Sequence, residues 1–177
     1  LGKSVYGINI LGKLEKAKAF AEENSEAVFA FGIGSLNTRC DRIQIFKALR
    51  IPKHRFVTLI HPTALISGSA KIGFGSIIHP FAIVSAGAVV DDFNIIAVRS
   101  TVGLNASLGE FSMICSHVLL LTDVQIGRAV FVGSSSVVME KIKLEDFSVV
   151  GLSSLVSRNV KSSTWVIGTP AKIFKRD

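Results

Sequence analysis

The sequence predicts a mainly β protein: a left-handed parallel β-helix of five to six coils, preceded by a small, incomplete α/β Rossmann-like segment. Three observations predict it. From Ile60 to Val156 an aliphatic residue stands at every sixth position without a break. A second column, mostly of small residues, runs four positions behind each aliphatic, as at Ala64, Ala70, Ser76, Ala82 and Ala88. Upstream, short apolar runs alternate with helical spacings, and the period changes near residue 58.

Residues 1–58 read as the α/β segment. Val5 to Ile10 is a short strand, and Leu14 to Glu23 gathers Leu14, Ala17, Phe20 and Ala21 near one helical face. Glu26-Ala-Val-Phe-Ala-Phe-Gly-Ile-Gly reads as a buried strand ending in glycines, followed by a helix over Thr38 to Leu49 and a strand near Phe56 to Ile60. A strand, Gly-x-Gly and helix succession can turn backbone N–H groups toward a phosphate. That singles out Gly32, Gly34 and Asn37 as substrate-binding candidates, although glycines at a strand exit also serve a tight turn. The segment is short for a dinucleotide domain and begins at Leu1 rather than Met, so an opening strand with its glycine-rich turn is expected to be missing from this chain.

Residues 59–161 carry the repeat. Neither helix nor ordinary strand periodicity places an aliphatic at every sixth residue, whereas a three-sided β-helix does, with one short strand and one corner per hexad. Three hexads complete a coil, so residues 18 apart stack at the strand spacing of about 4.8 Å. The glycines at 73, 103, 109, 127, 133 and 151, each just after an aliphatic, are expected to ease the corner dihedrals. A stack of this kind needs its ends covered; the α/β segment is expected over the first coil and the tail 162–177 at the last.

Composition narrows the function. With 49% hydrophobic residues and no uncharged apolar run of the roughly 20 residues a membrane helix needs, the chain reads as a cytoplasmic globular protein with no membrane partner. Its net charge of +7 gathers in Arg39 to Arg55 and in Lys161 to Arg176. These runs lack the interleaved aromatics of a nucleic-acid module, so they are either solvated faces or sites for a phosphorylated small molecule. Cys40 and Cys115 show neither disulfide nor zinc spacing and read as small hydrophobes, so no metal is expected.

The hexads resemble those of the hexapeptide-repeat acyltransferases. The entry Leu59-Ile-His-Pro-Thr-Ala-Leu-Ile-Ser and the exit Val166-Ile-Gly-Thr-Pro-Ala-Lys resemble the NeuD/PglD-type sugar O- or N-acyltransferases, as do Phe29-Ala-Phe-Gly-Ile-Gly and Arg39. The resemblance implies a homotrimer, with acetyl-CoA lying along a prism corner in the cleft between two subunits. It also implies a sugar or nucleotide-linked sugar as acceptor. The chemistry requires a base for the attacking amine or hydroxyl and an N–H donor for the oxyanion.

Where the family carries an acidic-His-Asp triplet, this chain has Gly103, Leu104 and Asn105; a second family histidine falls on Met113. The oxyanion role belongs to a backbone amide and falls by register to Thr122, one coil beyond Leu104. The same reasoning places the pantetheine arm along Gly133, Ser134, Gly151 and Leu152, and Lys172 near the coenzyme's phosphates. Small corner residues are also what the fold itself requires.

Of the four histidines, His54 reads as surface. His61 and His79 stack one coil apart, each before a proline, as corner residues or as a pH-sensitive pair. His117 is the candidate substitute base, against the plainer reading of an exposed corner. Asn105 and Glu110 are candidates to orient substrate or water. Two functions follow: an acetyl-CoA-dependent sugar acyltransferase, or a non-catalytic trimeric scaffold that has lost the catalytic histidine. The three convergent histidines of a γ-type carbonic anhydrase are not provided for.

Overall fold

A computed structural model describes residues 3–175. Leu1 and Arg176 lie outside the described residues. From Leu59 the chain winds a three-faced parallel β-helix out of two-residue strands. The first face stacks Leu59–Ile60, Ile77–Ile78, Ile95–Ile96, Met113–Ile114, Phe131–Val132, Val149–Val150 and Trp165–Ile167, so the prism makes about six turns. The second face stacks Leu65–Ile66, Ile83–Val84, Thr101–Val102, Leu119–Leu120, Val137–Val138 and Leu155–Val156. The third runs from Lys71–Ile72 through Val89–Val90, Ser107–Leu108 and Gln125–Ile126 to Lys143–Leu144.

The 18-residue register holds: Ile60 pairs with Ile78, and Ile78 with Ile96, in one interior row. The last coil is two residues shorter, since Leu144 bridges Val160 and Val150 pairs with Val166. From Ile78 to Val156 the aliphatic column is buried. Each such side chain removed from water contributes about 1.5–3 kcal/mol.

The small column closes the corners, and its polar members join coil to coil. Ser112 Oγ donates to the Gly127 carbonyl (2.8 Å) and accepts the Val130 N–H (3.0 Å). Ser100 and Ser136 repeat the pattern. Such bonds keep buried hydroxyls satisfied while fixing the register.

The glycine expectation needs correction. The left-handed backbone falls three residues after each interior aliphatic, at every sixth position from Gly75 to Ser153, and most of these residues carry side chains: Phe93 (φ 60°), Asn105 (54°), His117 (60°), Asp123 (59°). The glycines at 103, 109 and 133 have no positive φ. A Cβ on Gly103 would lie 2.5 Å from the Leu120 carbonyl oxygen, and one on Gly133 would lie 2.8 Å from the Gly151 carbonyl carbon. They answer close approach between coils.

The front segment also departs from expectation. In place of a Rossmann-like sheet it holds an antiparallel hairpin, Ser4–Val5 with Ile8–Asn9, and a single parallel bridge between Phe29 and Phe56. Helix α1 spans Ala17–Glu23 after a 3-10 turn at Leu14–Lys16, and helix α2 spans Asp41–Leu49. Its apolar residues find the prism as well as one another. Phe31, Phe46 and Phe56 cluster on Phe93 and Phe111, which stack at 4.9 Å along the edge between the third and first faces. The segment therefore lies along the prism's side, and Leu59 and Ile60 of the first coil stay exposed. At the other end the tail closes the last coil: the Ala171 N–H donates to the Leu155 carbonyl (2.8 Å).

One residue pins the segment down. Arg42 is fully buried and donates to the carbonyls of Phe111 (2.8 Å) and Phe93 (2.6 Å). Burial pushes its pKa down to about 10, which leaves it charged at neutral pH and donating to two corner carbonyls. Arg42→Ala is expected to cost about 3 kcal/mol, because it strands two buried acceptors; chemical denaturation should read the loss, and hydrogen exchange should place it in residues 17–57 and the adjoining coils. Ser163, exposed with φ 56°, tests the corner cost: Ser163→Gly should raise and Ser163→Val lower the unfolding free energy, each by about 1 kcal/mol.

Candidate active site

The register sorts the sequence-predicted residues onto separate edges of the prism. Leu104, Asn105 and Thr122 share the edge between the second and third faces; the Asp123 N–H donates to the Leu104 carbonyl (2.9 Å), and Val102 pairs with Leu120 just before the turn. His117, Gly133, Ser134, Gly151 and Leu152 share the edge between the first and second faces, where His117 N–H donates to Val98 and Ser135 N–H to Ser116. Asn105 and His117 are two hexads apart, so one chain does not bring them together. Lys172 pairs with Ile167, whose side chain sits where a Gly151 Cβ would go, which places the tail beside the latter edge. Glu110 stands on the remaining edge in an ion pair with Arg128 (3.4 Å), away from both groups.

Both groups present main-chain donors. The Thr122 N–H has no partner among the described residues, and neither do those of Leu104, Ser134 and Leu152. The local cause is the hexad itself: the second corner residue points its N–H outward, where only a neighbouring side chain or a ligand can reach it. On the third edge Asp92 and Asp146 do so, accepting from Phe74 and Arg128 (2.8 Å each). On the other two edges no such carboxylate reaches these amides, so the Thr122 N–H is left without an acceptor among the described residues.

The acceptor candidates divide. A Cβ on Gly34 would meet the Ile95 Cδ1 at 2.5 Å and the Met113 Cε at 3.2 Å, so Gly34 is a point of close approach to the first face. Gly32 and Asn37 are exposed beside it, and Gly32 has open space around it. Met113 is buried with Phe131 and Val149 under Leu36 and Trp165. The Arg39 guanidinium lies 5.5 Å from the Trp165 ring centroid and donates to the Leu36 carbonyl (3.0 Å). Leu104, by contrast, is half exposed.

In the first coil, the His61 side chain folds onto its own corner: its Nδ1 accepts the Thr63 N–H (3.2 Å) and contacts the Thr63 hydroxyl (2.9 Å). No group of three His, Cys, Asp or Glu among the described residues could hold a metal, and no helix among them is long and apolar enough to cross a membrane. Of the faces, the first is covered by the front segment. The second is not: it shows Leu65, Ile83 and Leu119 to solvent, while the third shows Lys71, Gln125 and Lys143.

One residue that sequence reading missed belongs with Leu104 and Thr122. Asp123 follows Thr122 on the same edge, one coil beyond Asn105, half-buried and with no side-chain partner among the described residues. Adding 18 to Asn105 would have found it.

No protein-family model matches the chain, and no curated protein sequence does. Solved structures match over almost all of it. The acetyltransferase domain of PglB from Neisseria gonorrhoeae FA1090 in complex with acetyl coenzyme A is 26% identical, with a TM-score of 0.85 over 97% of this chain and 81% of that one. The same domain in another structure gives 0.82, at 26% identity, over 97% and 82%. PerB from Caulobacter crescentus, in complex with CoA and GDP-perosamine, gives 0.87 at 23% identity over 97% and 81%, a likeness of fold. The PglB acetyltransferase domain holds acetyl coenzyme A in one of its two structures, and PerB holds CoA and GDP-perosamine.

The two thiols provide a check on the edges. Cys115 sits at the corner before His117, and burial pushes its pKa up to about 11, while Cys40 is exposed. Since only the thiolate alkylates, iodoacetamide at pH 8 should modify Cys40 readily and Cys115 at least about 100-fold more slowly. Intact mass should show a single adduct on the folded protein and a second on unfolding.

Proposed function

We propose that this chain is an acyltransferase that moves an acetyl group from acetyl-CoA to an amino or hydroxyl group of a nucleotide-linked sugar. The carrying observation is the superposition of 97% of the chain on an acetyltransferase domain holding acetyl coenzyme A, at a TM-score of 0.85 and 26% identity. The unpaired N–H groups on two prism edges supply the corresponding chemistry.

In this reading the thioester carbonyl takes the Thr122 N–H, a donor whose removal in other enzymes costs about 100- to 1000-fold in kcat. The pantetheine arm lies along Gly133, Ser134, Gly151 and Leu152, and Lys172 meets the coenzyme's phosphates. Residues 1–58 hold the acceptor, with Gly32 and Asn37 exposed toward it and Gly34 setting the approach of that segment to the prism. The two edges flank one apolar face, so a homotrimer closed through the second face would set the coenzyme edge of one protomer against the Thr122 edge of the next. His117 reaches the reacting atoms only across that boundary. The reading places the enzyme in the cytoplasm.

One observation favours the second reading, a trimeric scaffold without turnover: Leu104, in the position of the family's histidine, is exposed, and Met113 is sealed under Leu36 and Trp165. Purified protein incubated with acetyl-CoA and a panel of nucleotide amino sugars should yield an acetylated sugar by mass spectrometry and sediment as a trimer. Coenzyme binding by calorimetry without any product would favour the scaffold, and no coenzyme binding would remove the enzyme reading.

A further inference from the structure

Resting on the acyltransferase reading, we infer that the Asp123 carboxylate is the proton acceptor that replaces the missing histidine. Three observations place it there. Its backbone is bonded to Leu104, the residue in the family's histidine position, by the 2.9 Å bond from the Asp123 N–H to the Leu104 carbonyl. It adjoins Thr122, whose N–H is a free donor on that edge.

Its carboxylate is also unspent. On the third edge Asp92, Glu110, Glu145 and Asp146 are tied to Lys53, Arg128, Lys161 and the Arg128 N–H respectively, and Asp91 lies in the field of Lys53. Its carboxylate has no hydrogen-bond or ion-pair partner among the described residues, although Asp123 is half-buried. Along its own edge it stands between Asn105, whose Oδ1 lies over Gly87 in the preceding coil, and Lys141, with Glu140 beside it. His117 occupies the other edge, with the coenzyme, whereas Asp123 shares its edge with the Thr122 donor.

The step balances with the reactants of the proposed reaction. The acceptor amine, as the free base, forms a C–N bond at the thioester carbonyl carbon, and the carbonyl electron pair moves onto the oxygen at the Thr122 N–H. The nitrogen's proton passes to the Asp123 carboxylate. Collapse breaks the C–S bond, and the departing thiolate takes that proton to leave as free coenzyme A. An amine acceptor suits a carboxylate base better than a hydroxyl does, because the nitrogen is acidic once the tetrahedral intermediate has formed.

The test uses Asp123→Asn and Asp123→Gly in the full chain; glycine accepts the φ of 59° at this corner without strain. Both should lower kcat by about 100-fold or more, the scale of a lost general base, with acetyl-CoA affinity by calorimetry unchanged within about twofold. Added formate should restore part of the lost rate to Asp123→Gly and none to Asp123→Asn, a rescue that a merely structural role would not show. Either variant turning over within about threefold of the parent, or formate without effect on Asp123→Gly, overturns the assignment of Asp123. A parent protein that acetylates no acceptor overturns the acyltransferase reading on which it rests.

Discussion

A chain that turns a corner after every two-residue strand must bring one residue per hexad into left-handed backbone, and in this prism that demand recurs at every sixth position from Gly75 to Ser153. Most of these residues are not glycine. Each carries about 1 kcal/mol of steric cost, offset by the coil-to-coil hydrogen bonds and by the interior aliphatic column. The same turn leaves the N–H of the second corner residue facing outward. The corner constraint therefore makes both the fold and its chemistry: wherever no side chain claims those amides, an edge of the prism becomes a row of donors.

The three edges are used differently because different residues occupy the left-handed corner. On the third edge they are Phe93, Phe111, Ala129 and Phe147, which receive the phenylalanines of the front segment, with Arg42 capping two of their carbonyls. Carboxylates in the same corners take the amides of Phe74, Arg128 and Ser162. That edge is thus a docking seam for the chain's own first 58 residues. On the remaining two edges the corner residues are His117 and Ser135, or Asn105 and Asp123, small or polar groups that leave the amides open. These edges bound the second face, where Leu65, Ile83 and Leu119 stay in solvent.

How much of this was legible depends on whether a residue's role follows from register. Leu104 and Thr122 differ by 18, and their shared edge could be read from the hexads alone; the same arithmetic separates His117 from both and reaches Asp123. The glycines at 103, 109 and 133 were visible but their purpose was not, because contact between successive coils depends on how closely two backbones approach. The helices of the front segment were legible, but a Rossmann-like sheet was not there to find, because its apolar pattern is the same whether Phe31 and Phe56 face a sheet of their own or the prism's phenylalanines.

By itself the sequence determined the prism, its coil length and its interior, because a period of six aliphatics is satisfied by one backbone geometry and is local to each hexad. The tertiary structure alone decided that the front segment lies along the side, that Arg42 holds it through two carbonyls, that Met113 is sealed while Leu104 is open, and which amides and which carboxylate remain unspent. Those outcomes depend on which groups from distant parts of the chain reach one another first. Register within a repeat says nothing about what is laid against it.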